Sequence, residues 1–125
     1  MIEIENVRQI PGEPFRRWFS SGEFDLVLHC AAGGGFVGFQ LCYDKPHRER
    51  AIVYGDADGF RHMAVDDGEQ RPGKYKASPI LTADGAFDAS RIYRHFFAVS
   101  EGLPTDVADY VRQALARHPN FTGAA

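Results

Sequence analysis

The chain has 125 residues, 44% of them hydrophobic, and a formal net charge of −3. This length suits one domain whose core is stable without disulfides or metal ions. The acidic balance argues against a nucleic-acid partner, which requires a clustered positive surface. The longest apolar runs fall far short of the roughly 20 residues that span a membrane, so no membrane partner is expected.

The first half of the chain alternates between apolar and polar residues, as strands do. The first segments, "IEIENVRQI" and "FRRWFS", are separated by "PGEP" and indicate one or two strands. Two pairs of alternating segments follow: "FDLVLHC" and "FVGFQLCY" around "AAGGG", and "RAIVYG" and "FRHMAV" around "DADG". Two alternating runs that flank a glycine-containing turn predict a β-hairpin. We therefore expect an antiparallel β-meander of about five or six strands, within about residues 2–65.

Helical spacing replaces alternation after this region. Apolar stripes predict one helix at about residues 88–101, capped by Asp88 or Ser90, and a second at about 105–118, capped by Thr105. Neither helix is stable alone at this length, so both must dock on the sheet. The prediction is an α+β fold in which a C-terminal pair of helices packs on one face, with residues 1–125 as a single domain and 119–125 as a short tail.

The first hairpin fixes the orientation of the two cysteines. A short loop places Leu28 near Phe39, so that Cys30 points into the core and Cys42 points to the opposite face. Cysteines on opposite faces of a sheet cannot reach bonding distance, and both are predicted to be free thiols. Because the N-terminus also lacks the pattern of an export signal, we expect a reduced, cytoplasmic protein.

The same register collects polar side chains on the face opposite the core. The candidate binding residues on this face are Asp25, His29, Gln40, Cys42 and, if Met63 and Val65 enter the core, His62. The solvated face of any antiparallel sheet has a similar composition, so that ordinary alternative stays open.

Several reaction chemistries are disfavoured by spacing. A thiol nucleophile needs a nearby base, but Asp25 and His29 are about 13 Å apart along a strand, which argues against a relay through both. The pair of His62 and Cys42 remains open. The sequence contains no C-x-x-C or H-x-x-x-H zinc pattern and no complete phosphate or calcium loop, so no metal or cofactor is expected. The segment "DKPHRER" is read as a solvated charged loop, and Trp18 as a packing residue.

The chain also resembles a group of small uncharacterised bacterial proteins. The shared segments are "RRWF", "FDLVL", "VGFQLCYDK", "RERAIVY", "VDDGE", "PIL" and the late "LP". They extend from about Pro11 to the second helix. No activity is assigned to this group, so the resemblance implies a bacterial, cytoplasmic, single-domain protein and assigns no site residue.

Three classes of function follow. The first is a non-enzymatic binding or interaction module that uses the polar face or an edge of the sheet. A homodimer through an edge or the open face is one expectation, because uncovered edges invite pairing. The alternative is a small enzyme with Cys42 or His62 as the reactive group. A nucleic-acid module using Arg16, Arg17, Trp18 and the loop at 45–50 is a third and less favoured interpretation.

Overall fold

The structure is a computed structural model that describes residues 1–44, 50–66, 80–83 and 87–122, without side chains at 64–66 and 80–83. Several predictions lie outside the described residues. They concern the charged loop at 45–49, the core position of the Val65 side chain, and the end of the tail at 123–125.

The described strands form one antiparallel sheet in which each strand pairs with the next along the chain. They are β1 (Ile2–Ile4), β2 (Phe15–Ser20), β3 (Asp25–Cys30), β4 (Phe36–Tyr43), β5 (Arg50–Gly55), β6 (Gly59–Asp66) and β7 (Ile80–Ala83). The predicted α+β class and antiparallel meander are confirmed. Strand β7 lies beyond the predicted strand region and extends the sheet to seven strands in the described part of the chain.

Glycines make the tight turns of both predicted hairpins. Gly34 and Gly35 have φ of 102° and 77°, and the Ala31 N–H donates to the Gly35 carbonyl at 3.0 Å. Gly59 has φ of 75° at the turn between β5 and β6. These positive φ values favour glycine, which has no Cβ. The resulting register pairs Leu28 with Phe39, as predicted.

Two helices follow the sheet. Helix α1 (Ala89–Val99) continues into a short 3₁₀ turn at Ser100–Gly102, and α2 (Thr105–Ala116) comes next. Asp88 is the N-cap of α1, as predicted, and its side chain accepts a hydrogen bond from the Arg91 N–H at 3.1 Å. The predicted Thr105 cap is wrong. Pro104 is the N-cap because it holds the extended conformation that precedes the first helical residue, with ψ of 143°.

The helices cover one face of the sheet, which we call the inner face. Its core consists of side chains from β2, β3, β4, β5, α1 and α2, including Phe19, Leu26, Leu28, Phe39, Leu41, Tyr43, Ile52, Ile92, Phe96, Val107, Val111 and Leu115. Phe24 packs its ring edge against Phe96 at 6.0 Å between centroids. In the part of the chain that the structure describes, neither helix has the length and apolar character to cross a membrane.

Candidate functional site

Four of the five predicted binding residues share the outer face of the sheet, opposite the helices. Asp25 pairs with Cys42, Gln40 pairs with Val27 and His29 pairs with Gly38, and alternation places all four predicted residues on this face. Neither Cys30 nor Cys42 forms a disulfide, as predicted. Cys42 is nevertheless only 3% exposed, so it is not the accessible thiol that a nucleophile requires.

The fifth residue, His62, lies on the inner face, so its predicted outward position is wrong. It pairs with Ile52, whereas Met63 pairs with Ala51 on the outer face. The reason lies two residues earlier in β6, where Phe60 packs on Tyr54 at 4.7 Å and therefore points inward. Alternation then carries His62 to the same face as Phe60.

The outer face carries more apolar side chains than is usual for a sheet face exposed to solvent. Ala51 is buried there beside Cys42, and Trp18, Val27, Val53 and Met63 are half-buried. Gln40 is also half-buried and donates from Nε2 to the Cys42 sulfur at 3.4 Å. The predicted polar residues are therefore interspersed with apolar ones and do not form a continuous polar surface.

His62 belongs to a cluster of rings where the helix ends meet the sheet. The Tyr43 hydroxyl and His62 Nε2 are hydrogen-bonded, and Phe87 packs on both rings, with centroids 5.8 and 5.2 Å away. His118 contacts Phe87 from the end of α2 at 4.8 Å. Burial, and then the negative charge of Asp44, raises the pKa of Tyr43. Because Tyr43 is 2% exposed, this cluster serves packing rather than substrate access.

A groove of about 500 Å³ lies at the β1 edge of the sheet, between β2 and the segment that follows β1. We call it the N-terminal groove. Its described lining residues are Glu3, Ile4, Glu5, Asn6, Val7, Gln9, Phe15, Arg16 and Arg17. The volume lies within the roughly 300–1,000 Å³ of typical small-molecule sites.

The glutamine at position 9 closes one side of the groove. Its Nε2 donates to the Arg16 carbonyl at 2.9 Å, and its Oε1 accepts from the Arg16 N–H at 2.8 Å. This side chain therefore reproduces the hydrogen-bond pair that a neighbouring strand would supply. Asn6 turns the segment with φ of 58°, a left-handed conformation that asparagine tolerates better than most residues. Together they hold the segment against the start of β2.

The two arginines of the groove differ in their partners. Arg17 forms a two-point contact with Glu3 at 2.9 and 3.1 Å, which lowers the pKa of Glu3 and raises that of Arg17. Arg16 donates from Nη2 to the Arg8 carbonyl. Its Nε is buried without a hydrogen-bond partner, and no carboxylate of the described residues forms an ion pair with it. Arg16 is therefore a half-buried cation that forms no ion pair with a described carboxylate.

Among the predicted residues, His29 lies nearest to this groove, as the cross-strand partner of Arg16. Burial is the main cause that lowers the pKa of His29, and the charge of Arg16 lowers it further. Phe15 and Ile4 supply apolar surface in the groove, being 58% and 42% exposed. Among the described residues, no group of three His, Cys, Asp or Glu side chains could hold a metal ion.

Comparisons of the chain with models of known protein families, with curated proteins and with solved structures find no match. Functional assignment therefore depends on the geometry. The sequence indicated a possible role for Arg16 and Arg17 but did not predict the groove. The walls of the groove come from two segments joined by a loop. The available signal was an aromatic residue and two arginines at the start of a strand, following an asparagine and a glutamine in a loop.

Proposed function

We propose that this chain is a small non-enzymatic binding module that holds a small ligand in the N-terminal groove. The observation that carries the proposal is the combination, in one groove, of exposed Phe15 and Ile4 with Arg16, which forms no ion pair with a described carboxylate. Ligand sites typically combine an apolar surface with a few well-placed polar groups. We also propose a bacterial, cytoplasmic setting, in keeping with the resemblance and with two cysteines that form no disulfide.

The composition of the groove favours binding over covalent chemistry. Its described lining contains no thiol, hydroxyl or imidazole group, the usual nucleophiles and bases of enzymes. Of its two carboxylates, Glu3 is held by Arg17 and Glu5 is exposed to solvent. A guanidinium has five N–H donors and no acceptor, so Arg16 is suited to hold an anion rather than to act as a base.

The enzyme alternative makes a separate prediction about Cys42. If this thiol is a nucleophile, it should react with a chromogenic disulfide reagent at mildly acid pH faster than free cysteine. We expect the reverse, because Cys42 is buried and His62 lies on the other face of the sheet. The test uses Cys30→Ser, so that only Cys42 reports. Rapid labelling of the native variant would favour the enzyme.

The binding proposal is tested by amide NMR spectra of the chain titrated with two probes. The probes are hydrocinnamate, a phenyl ring on a short chain ending in a carboxylate, and hydrocinnamamide, its neutral amide. We expect at least one of them to shift signals of Glu3–Gln9 and Phe15–Arg17. Shifts confined to other regions, or no shifts with either probe, would contradict the proposal.

A matched pair of variants tests whether the apolar wall contributes. Phe15→Ala should weaken binding of both probes, because it removes the most exposed aromatic surface of the groove. Phe97→Ala removes a phenylalanine of similar exposure, 49%, from α1, outside the groove. We expect Phe97→Ala to bind like the unmodified chain. Equal losses in the two variants would contradict the location of the site.

A further inference from the structure

We infer that the ligand of the N-terminal groove carries a carboxylate that binds to Arg16, with an apolar body that lies against Phe15 and Ile4. This inference rests on the proposed function and adds the chemical class of the ligand to it. It predicts a preference for an amphipathic acid over its neutral analogue.

The first step is the state of the Arg16 side chain. Its Nε is buried without a hydrogen-bond partner, and Nη2 is bound to a neutral carbonyl, that of Arg8. A partly desolvated cation is costly unless an opposite charge compensates it, and unsatisfied buried donors are uncommon in folded proteins. Since no described carboxylate forms an ion pair with Arg16, an anionic ligand in the groove would offset the cost of its charge.

The second step is the comparison with Arg17, the next residue along β2. Arg17 also lines the groove, but Glu3 occupies its guanidinium through two hydrogen bonds. The Glu3–Arg17 pair is therefore neutral as a unit. Glu5 is exposed, so water and salt screen its charge. The charge left to select a ligand inside the groove is that of Arg16, and its sign selects an anion.

The third step is the geometry of the cation. A guanidinium presents a planar set of donors that fits a carboxylate, and such charge-assisted contacts are stronger than neutral ones. Gln9 fixes the Arg16 backbone through two hydrogen bonds, and the Arg8 carbonyl fixes one end of its side chain. Little conformational freedom is then lost when an anion binds, which favours affinity.

The fourth step is the apolar wall. Ile4, Val7 and Phe15 line the same groove as Arg16. A small inorganic anion would leave this surface in contact with water. A carboxylate attached to a hydrocarbon or aromatic body covers it and gains from its burial. The combination therefore favours an amphipathic carboxylic acid.

The test compares hydrocinnamate with hydrocinnamamide, which have nearly the same shape and differ in charge. In amide NMR titrations of the unmodified chain, we expect the acid to bind about tenfold tighter than the amide, as a charge-assisted contact would give. In Arg16→Gln the affinity for the acid should fall to that for the amide, while the affinity for the amide stays unchanged. Arg61→Gln is the control, because Arg61 is an exposed strand arginine outside the groove lining.

The outcomes separate this inference from the proposed function. If both probes shift the groove signals with equal affinity, the carboxylate inference is overturned and the binding module stands. If neither probe shifts these signals, the proposed function itself fails. If the preference for the acid persists in Arg16→Gln, another cation binds the carboxylate and the assignment to Arg16 is overturned. The comparison of the two probes in the unmodified chain requires no variant to fold.

Discussion

Phe39 and Gln40 are neighbours in β4 that lie in different environments. Phe39 is completely buried on the inner face, where its ring contacts Tyr54 and Tyr110 at 5.6 and 6.1 Å between centroids. Gln40 is half-buried on the outer face, and its described hydrogen bond goes to a weak sulfur acceptor. At the scale of single residues, strand alternation therefore decides which side chains stabilise the fold.

This difference predicts unequal effects of truncation. Phe39→Ala should lower the free energy of unfolding by about 3–5 kcal/mol, because it removes core contacts and leaves a cavity. Gln40→Ala should lower it by less than about 1 kcal/mol. Chemical denaturation of both variants measures the two values. A Gln40→Ala loss as large as that of Phe39→Ala would mean that Gln40 has an essential buried partner.

We expect His118 to make the stability of the protein depend on pH. Burial, and then the charge of His62, lowers its pKa from the ordinary value of 6.5, and its Nδ1 accepts a hydrogen bond from the Asn120 N–H at 3.0 Å. Burial likewise lowers the pKa of His29. The unfolded chain therefore binds protons more readily than the folded chain, and stability should fall as the pH decreases through and below about 6.5.

Denaturant midpoints measured between about pH 5 and 8 test this dependence. His118→Asn should reduce the loss at acid pH, because it removes the titrating ring beside Phe87. The control His95→Asn changes an exposed histidine of α1 and should retain the loss. A chain whose stability is unchanged between neutral and mildly acid pH would contradict the prediction.

At the scale of elements, the two helices begin in different ways. The Asp88 side chain caps α1, whereas α2 begins after Pro104 without a side-chain cap from that residue. Asp88→Ala should therefore lower the free energy of unfolding by about 0.5–2 kcal/mol, the usual effect of losing an N-cap. Thr105→Ala should change it by no more than about 0.5 kcal/mol, as at ordinary surface positions. Chemical denaturation of both variants measures these losses. A loss for Thr105→Ala larger than that for Asp88→Ala would contradict the assigned caps.

The pairing of β4 with β5 depends on a glycine. A Cβ at Gly38 would lie 2.4 Å from the Tyr54 carbonyl oxygen, which is backbone and cannot move without parting the strands. We expect Gly38→Ala to lower the free energy of unfolding by about 1–3 kcal/mol or more. Gly33→Ala is the control, since its Cβ would meet nothing within 4 Å. Equal thermal stability of the two variants would contradict the close approach.

The edge strand β1 bears on the expected homodimer. Its three residues are all exposed, which leaves this edge open to pairing with a second molecule. A short edge strand with a charged residue such as Glu3 at its centre, however, disfavours such pairing. The homodimer therefore stays a prediction. Light scattering during size-exclusion chromatography tests it, and a monomer at high concentration would contradict it.

At the scale of the whole molecule, local pattern predicted the parts that depend on near neighbours. Alternation, turn glycines and capping chemistry predict the α+β class, the meander, the hairpin register of β3 with β4 and the Asp88 cap. The position of His62 could not be predicted in this way. Met63 is more apolar than His62 and was therefore expected in the core, whereas the packing of Phe60 on Tyr54 turns His62 to the inner face. The groove could not be predicted, since it requires the Gln9 side chain to bind β2.

A crystal structure of the chain grown with hydrocinnamate tests the binding site most directly. We predict that the probe lies in the N-terminal groove, with a carboxylate oxygen at about 3 Å from a guanidinium nitrogen of Arg16 and its ring against Phe15. A probe bound at another surface while the groove stays empty, or a carboxylate directed away from Arg16 into solvent, would contradict it.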